Sequence, residues 1–176
     1  MTYKGAPMMS VRQDWGTPQA FFNYVEECFG LTFTLDACAS DYNYKVSQFY
    51  TKEDNALIQE PCHEKIWMNP PFGHGGKLQR TFIEKAVEWS GKNEVWCLIP
   101  SRTDTRLFHE IIVPNAKNIY FIKGRLNFEG PNREGCNNST FPSMLVRFRK
   151  CISEIWVKPQ RASLSTLEPT PKERGF

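Results

Sequence analysis

The tetrapeptide Asn69-Pro70-Pro71-Phe72 carries groups that could activate a planar amine. Such an amine is a poor nucleophile, because its lone pair is delocalised into the ring or carbonyl that bears it. The side-chain oxygen of Asn69 and the backbone carbonyl of Pro70 could both accept its hydrogens, which would localise the lone pair on nitrogen. Phe72 offers a flat face on which a base could stack. A Pro-Pro turn after a core strand would explain the same residues, so the tetrapeptide alone leaves both interpretations open.

The residues on either side of the tetrapeptide predict how it is held. Residues 65–68 form a short apolar run closed by prolines, which predicts a buried strand. Asn69 should therefore lie at the carboxyl end of a strand, where open α/β sheets bind their ligands. The following run, Gly73-His74-Gly75-Gly76-Lys77, predicts a mobile loop that could close over the site. His74 could serve there as a base or a phosphate contact, although a loop histidine is usually neither.

Two acidic residues are candidates for contacts with a cofactor. Residues 31–36 alternate toward Asp36 and predict a strand, and the small residues 37–40 would let a ligand approach the backbone. A carboxylate at a strand end suits a cationic or hydroxyl-bearing cofactor, although an isolated aspartate there is more often a turn residue. Asp54 lies in a polar loop before the central strand, where it could accept hydrogen bonds from a cofactor or belong to a solvated turn.

Alternating helix and strand patterns predict an α/β fold around these residues. Thr17 is a good N-cap and Pro18 a good first residue for an amphipathic helix that Gly30 closes. Trp15, just before this helix, could contact a ligand. The remaining predicted elements are a short strand within 45–50, a helix from 78 to about 91, a strand over 94–100, a helix over 101–110 and a strand over 116–122. This alternation favours a mainly parallel sheet.

The region after residue 122 departs from the alternation. Residues 124–140 are the longest polar stretch between strands, and Arg125, Asn127 and Arg133 could read base edges there. A solvated surface loop explains this stretch equally well. Residues 143–149 and 152–158 predict two final strands, paired as an antiparallel hairpin at the sheet edge.

Two arginines provide further candidate phosphate contacts. Arg102 and Arg106 are one turn apart on the predicted helix over 101–110 and would share a face. Exposed helix arginines usually only interact with solvent, so this assignment also has a simpler alternative.

Composition limits the classes of protein that the chain could represent. We expect one domain over residues 15–158, with a polar arm at 1–14 and a polar tail at 159–176. The hydrophobic fraction of 40% is typical of a globular protein, and the net charge of +3 is compatible with a polyanionic partner. The six cysteines show no CxxC or CxxH spacing, so neither zinc nor a disulfide framework is expected, and reduced thiols favour the cytoplasm. No apolar run approaches the ~18–20 residues of a membrane span.

Taken together, the motifs make the chain similar to the phage-type DNA adenine methyltransferase (Dam) family. They are, in order, Trp15-Gly16-Thr17-Pro18, Leu35-Asp36-Ala37-Cys38-Ala39-Ser40, Phe49-Tyr50-Thr51-Lys52-Glu53-Asp54-Asn55-Ala56-Leu57, Trp67-Met68-Asn69-Pro70-Pro71-Phe72-Gly73, Ile99-Pro100-Ser101-Arg102-Thr103-Asp104-Thr105, and Gly124-Arg125-Leu126-Asn127-Phe128 with Phe141-Pro142-Ser143. The resemblance implies a class I, Rossmann-like methyltransferase fold. Its mostly parallel, seven-stranded sheet contains one antiparallel strand, which the predicted hairpin would supply.

The resemblance also implies a reaction and a set of roles. The methyl donor would be S-adenosylmethionine, without a metal, and the acceptor would be the adenine amine in double-stranded DNA after base flipping. The catalytic residues implied are Asn69, Pro70, Pro71 and Phe72. The cofactor-binding residues implied are Trp15, Thr17, Pro18, Asp36, Cys38, Ser40, Asp54 and Asn69. The candidate DNA contacts are His74, Lys77, Arg102, Arg106, Arg125, Asn127 and Arg133.

Two departures accompany this resemblance. The glycine-rich FxGxG of many methyltransferases is absent after Asp36, where Cys38 stands among alanines and a serine. The chain also shows no separate target-recognition domain. The resemblance implies a phage or prophage protein acting in the cytoplasm of a bacterial host, with no obligate protein partner, where methylation could protect DNA from restriction or regulate packaging or expression.

Two other functions remain compatible with the sequence. The same tetrapeptide serves planar amines in methyltransferases that act on RNA or on a protein glutamine amide. A catalytically inactive DNA-binding relative would keep the fold without the reaction, although the intact residues 69–72 argue against it.

Overall fold

The computed structural model describes residues 15–61, 65–71, 76–130, 137–139 and 141–150. The main elements are, in chain order, α1 (Gln19–Phe29), β1 (Leu35–Asp36), β2 (Lys65–Met68), α2 (Lys77–Trp89), β3 (Glu94–Pro100), α3 (Val113–Asn115), β4 (Asn118–Phe121), β5 (Asn127–Phe128), β6 (Asn137–Asn138) and β7 (Ser143–Phe148). A short helical turn, Ala56–Ile58, precedes β2, and a wide helical turn, Leu107–Ile112, runs directly into α3. The predicted arm at 1–14, the tail at 159–176 and the strand at 152–158 lie outside the described residues.

The main sheet has five strands in the order β1-β2-β3-β7-β4. The first three are parallel, whereas β7 pairs antiparallel with both β3 and β4. Four strands therefore point in one direction, and their carboxyl ends share one edge of the sheet. This arrangement confirms a Rossmann-like, mostly parallel sheet with one antiparallel strand. In the described part of the chain, the sheet has five strands rather than the seven that the resemblance implies.

The position of the antiparallel strand corrects the sequence prediction. We expected residues 143–149 at the sheet edge, but β7 lies between β3 and β4. The burial of the strands explains the order, because five of the six residues of β7 are buried, whereas β4 is partly exposed and Phe121 is 61% exposed. The edge position therefore belongs to β4.

Helices cover both faces of the sheet. One face packs against α2 and the turn before α3 through residues such as Met68, Cys97 and Val146. The other face packs against α1 through Trp67 and Trp96. Alternate residues of each strand thus pack into the hydrophobic layers on opposite faces of the sheet. This explains why β2 and β3 are apolar almost throughout.

Several predicted boundaries change. Gly30 closes α1 in the left-handed conformation as predicted, but the helix begins at Gln19, and Thr17 does not cap it. The predicted helix over 101–110 starts later, so Arg102 lies in a turn and does not share a helix face with Arg106. Thr105 Oγ1 accepts a hydrogen bond from Phe108 N, 3.2 Å away. The Thr105 hydroxyl therefore caps the start of this helix.

The polar stretch over 124–140 contains a small second sheet. Its strands β5 and β6 pair antiparallel, with Asn127 opposite Asn138. Residues 131–136 between them lie outside the described residues. Among the helices of the described ranges, none has both the length and the apolar character needed to cross a membrane.

Candidate active site

Asn69 is the central residue of the site, at the carboxyl end of β2. Its Nδ2 donates a hydrogen bond to the backbone oxygen of Trp15, 3.0 Å away. Its Oδ1 is buried and has no hydrogen-bond partner among the described residues. Pro70 follows as a buried residue, and Pro71 is half-buried. A buried acceptor without a donor costs free energy, so this oxygen is suited to accept a hydrogen from a ligand.

The segment Trp15-Gly16-Thr17-Pro18, here called the strap, passes beside Asn69. Gly16 forms a two-bond antiparallel bridge with Glu129, with N···O distances of 2.8 and 2.9 Å. Gly16 is buried, and a Cβ at this position would collide with the side chain of Asn43. Thr17 is 2% exposed, and its hydroxyl has no partner within the described part of the chain.

Asp36 ends β1, next to β2 on the same sheet edge. Its carboxylate accepts hydrogen bonds from the backbone nitrogens of Cys38 at 3.2 Å and Lys45 at 3.1 Å. Burial raises the pKa of Asp36 to about 6, although these two bonds and the charge of Lys45 act in the opposite direction. The carboxylate therefore holds the loop over residues 37–45 in place, which agrees with the turn role that the sequence offered as the alternative, while its contact with a cofactor stays a prediction.

An ion pair connects this loop to the second sheet. Lys45 Nζ lies 3.4 Å from Glu129 Oε2, and the lysine side chain is only 4% exposed. The other carboxylate oxygen of Glu129 accepts a hydrogen bond from Gln19 N at the start of α1. Glu129 thereby joins the strap, α1 and the loop after Asp36. Sequence reasoning missed Asn43, Lys45 and Glu129, because nothing in a polar stretch signals that one of its residues is buried.

The remaining predicted cofactor residues divide into two groups. Cys38 and Ser40 lie half-buried directly after β1, and burial raises the pKa of the Cys38 thiol well above its ordinary value, which keeps it neutral. Asp54 is exposed, and its Oδ2 accepts hydrogen bonds from both N and Oγ1 of Thr51 at 2.8 Å. These bonds lower the pKa of Asp54. Asp54 thus stabilises its own turn, and its cofactor role stays a prediction.

The predicted DNA contacts within the described residues are exposed basic and polar side chains. Lys77, Arg102, Arg106, Arg125 and Asn127 are all exposed. Arg102 follows the end of β3 and Arg125 the end of β4, while Lys77 begins α2 after β2. They therefore follow the carboxyl ends of the strands, where Asn69 also lies. Phe72, His74 and Arg133 are outside the described residues.

No cluster of three or more metal-binding side chains occurs within the described ranges. Among the described residues, the Thr17 hydroxyl and Asn69 Oδ1 have no hydrogen-bond partner, so both could accept hydrogen bonds from the N–H or O–H groups of an organic ligand.

The fold and the candidate site together identify a class of protein. A mostly parallel sheet covered by helices, with polar side chains at the carboxyl ends of adjacent strands, is the arrangement of Rossmann-like enzymes. A family model described as "DNA N-6-adenine-methyltransferase (Dam)" matches residues 5–173. The chain therefore belongs to the Dam family of DNA N-6-adenine-methyltransferases.

Two phage proteins support this membership. A DNA N-6-adenine-methyltransferase of Haemophilus phage HP1 is 30% identical over 179 residues, covering 100% of this chain and 99% of the relative. A DNA N-6-adenine-methyltransferase of Escherichia phage T1 is 33% identical over 127 residues, covering 70% of this chain and 51% of the relative. A candidate RNA methyltransferase from Pyrococcus horikoshii, a solved structure, aligns with a TM-score of 0.49 at 15% identity over 78% of this chain and 71% of its own.

Proposed function

We propose that this protein transfers a methyl group from S-adenosylmethionine to the exocyclic amine of adenine in double-stranded DNA, after the base has been flipped from the helix. The observation that carries the proposal is the Oδ1 of Asn69, directly before Pro70 at the end of β2, which is buried and has no hydrogen-bond partner in the described part of the chain. Membership of the Dam family supports adenine in DNA as the acceptor.

The chain's own groups account for activation of the amine. The Nδ2 bond to Trp15 supports an amide orientation in which the Asn69 oxygen would be left to face the adenine amine. Asn69 Oδ1 and the Pro70 carbonyl, which lies on a backbone fixed by the proline ring, would accept the two amine hydrogens. Both oxygens stabilise the positive charge that develops on the attacking nitrogen. S-adenosylmethionine would supply an electrophilic methyl group on a sulfonium, and no general base is required before the attack.

Flipping the adenine costs a few kcal/mol of lost stacking, which the pocket must offset. By resemblance, Phe72 would stack on the flipped base, and Trp15, Thr17 and Pro18 would close over the methionine end of the donor. The exposed basic residues at the same sheet edge (Lys77, Arg102, Arg106 and Arg125) would contact phosphates. By the same resemblance, the reaction would take place in the cytoplasm of a bacterial host.

The test is transfer of labelled methyl from S-adenosylmethionine to unmethylated double-stranded DNA, followed by nucleoside analysis of the product. We expect N6-methyladenine in the DNA, and sequencing of the modified sites would then give the recognition sequence. RNA and a protein extract are the matched alternative acceptors. Label in either of them and none in DNA would overturn the proposed acceptor, and failure to bind the cofactor would overturn the enzymatic function altogether.

A further inference from the structure

We propose that Asn43 binds the α-ammonium group of the methyl donor, through a carboxamide oxygen that the fold holds against the strap. The inference rests on the proposed function and adds a residue to its site. Neither the motifs nor the resemblance assigns a role to Asn43.

The loop after β1 fixes the position of Asn43 at both ends. Its backbone nitrogen donates to Ser40 O at 3.0 Å, which closes a tight turn. Two residues later, Lys45 is anchored to Asp36 through its backbone and to Glu129 through its side chain. These contacts hold the backbone on both sides of Asn43 and so restrict where its side chain can lie.

The contact with Gly16 brings the Asn43 amide to the strap. Asn43 Nδ2 is the atom nearest to the position that a Cβ of Gly16 would occupy, so a side chain at position 16 would force the Asn43 amide to move. The Asn43 Oδ1 is buried and has no partner in the described chain, as is also true of the Thr17 hydroxyl one residue beyond Gly16. Asn69 donates to Trp15, one residue before Gly16. Three oxygens without a hydrogen-bond partner among the described residues, on Thr17, Asn43 and Asn69, thus belong to residues that form or contact one short segment.

The geometry of the reaction indicates which part of the donor lies there. Because the adenine amine is held by Asn69 and must face the sulfonium methyl, the donor atoms near Asn69 are those next to sulfur. These include the methionine moiety, whose donors to an amide oxygen are the three N–H bonds of its α-ammonium. The Thr17 hydroxyl, unlike an amide oxygen, could also donate to the neighbouring α-carboxylate.

The local charges are compatible with a bound ammonium. Lys45 is the nearest buried cation in the loop, and Glu129 neutralises it. A hydrogen bond from a charged donor to a neutral buried amide is roughly twice as strong as one between neutral groups. We therefore expect loss of Asn43 Oδ1 to weaken donor binding by about tenfold to a hundredfold.

Calorimetric titration with two probes tests this assignment. S-adenosylhomocysteine carries the α-ammonium, whereas 5′-methylthioadenosine has the same nucleoside without the amino-acid end. Asn43→Leu, close in size to asparagine, should bind S-adenosylhomocysteine about tenfold to a hundredfold more weakly and 5′-methylthioadenosine as tightly as the wild type does. Asn43→Asp, which keeps an acceptor oxygen, should retain or increase affinity for S-adenosylhomocysteine. Asn115→Leu, at the end of α3, is the matched control, since Asn115 only bonds Ile111 O on the surface.

Each other outcome overturns the assignment. Equal losses for both probes would place Asn43 on the nucleoside, equal losses in the Leu and Asp variants would show a structural role, and unchanged affinity would exclude contact. If the Leu variant does not fold, Asn43→Ala provides the same comparison without added bulk. A wild type that methylates DNA while Asn43 has no effect would reject this inference alone, whereas a wild type that binds neither probe would reject the proposed function as well.

The Gly16 contact offers an independent test. Gly16→Ala should displace the Asn43 amide and weaken S-adenosylhomocysteine binding as much as Asn43→Ala does. In the Asn43→Ala background the collision is gone, so Gly16→Ala should add no further loss. Additive losses in this double-mutant cycle would contradict the proposed coupling.

Discussion

At the scale of single residues, Asn69 has two hydrogen-bonding roles that substitution can separate. Its amide nitrogen holds the strap through Trp15, and its oxygen, which has no hydrogen-bond partner among the described residues, is the proposed acceptor for the adenine amine. Asn69→Ala removes both, and we expect methyl transfer to fall by at least about a hundredfold. Asn69→Asp keeps an acceptor but loses the bond to Trp15, so it should retain more activity than Asn69→Ala.

The measurement is single-turnover methylation of DNA, with the melting temperature as a check on folding. Asn115→Ala is the control, because it also removes an asparagine that bonds a backbone carbonyl. Full activity in Asn69→Ala would exclude the proposed activation of the amine.

Asp36 makes stability depend on pH in an unusual direction. Burial raises its pKa from 3.8 to about 6, so in the folded protein the carboxylate holds its proton to a higher pH than in the unfolded chain. Its contribution is therefore fully present below about pH 4 and is lost as pH rises through about 6. At about 1.4 kcal/mol for each pKa unit, the loss is about 3 kcal/mol.

Urea unfolding of the wild type and Asp36→Asn, repeated from pH 4 to 7, measures this effect. The stability of the wild type relative to the variant should fall as pH rises. Asp54→Asn gives the contrast, since Thr51 lowers the pKa of Asp54 and its contribution is lost as pH falls. A flat difference for Asp36 would mean that its carboxylate is ionised in the fold throughout this range.

At the scale of elements, Glu129 joins segments that are distant in sequence. Its backbone pairs with Gly16, and its carboxylate contacts Lys45 and Gln19 N. Glu129→Gln would leave the Lys45 charge buried without its partner, so we expect a loss of about 2 kcal/mol in the free energy of unfolding. Lys45→Met removes that charge, and in this background Glu129→Gln should cost much less.

Chemical denaturation of the two single variants and the double variant gives the coupling energy. We expect about 1–3 kcal/mol of coupling between Lys45 and Glu129. Additive effects would show that the ion pair contributes nothing beyond the packing of the two side chains.

The elements also show where prediction from sequence reaches its limit. The strands ending at Asp36 and Met68 were predictable, because apolar runs closed by small residues or prolines record burial directly. The start of the helix after β3 was not, because Ser101 and Thr103 are equally plausible caps by residue type, whereas in the fold Thr105 accepts the capping hydrogen bond. The relative order of β7 and β4 in the sheet was predicted wrongly for a related reason. Both are short and largely apolar, and pairing across the sheet decides which becomes the edge.

The site was predictable to the extent that its residues lie in contiguous motifs. Asn69, Asp36 and Thr17 each follow or precede a recognisable element, so their neighbourhood could be inferred. Asn43 and Glu129 meet the strap only through contacts between distant segments, and 84 residues separate Glu129 from Lys45, its partner in the ion pair. No local pattern encodes such a contact.

At the scale of the whole molecule, the two ends of the parallel strands have different roles. The carboxyl ends of these strands carry Asn69 and Asp36, and the exposed arginines follow them. At the amino ends, Glu94 begins β3 and lies about 20 Å from the carboxyl end of that strand, at roughly 3.3 Å per residue. Glu94 is 4% exposed and accepts hydrogen bonds from Trp96 Nε1 at 2.7 Å and from Arg147 and Arg149 at 2.9 Å.

Glu94 therefore offers a test of whether stability and catalysis can be separated. Burial acts to raise its pKa, but the bonds from Arg147 and Trp96 and the arginine charges outweigh burial and lower it. Glu94→Ala would leave the Trp96 indole nitrogen and Arg147 without this acceptor, and we expect a loss of about 3 kcal/mol in the free energy of unfolding. Only interactions that change in the transition state alter the rate of methyl transfer. Because the carboxyl ends of the strands remain in place, this rate should stay within about twofold of wild type at a temperature well below the melting point. A fall in rate comparable to that of Asn69→Ala, measured on fully folded Glu94→Ala, would mean that the sheet transmits changes from one end of its strands to the other.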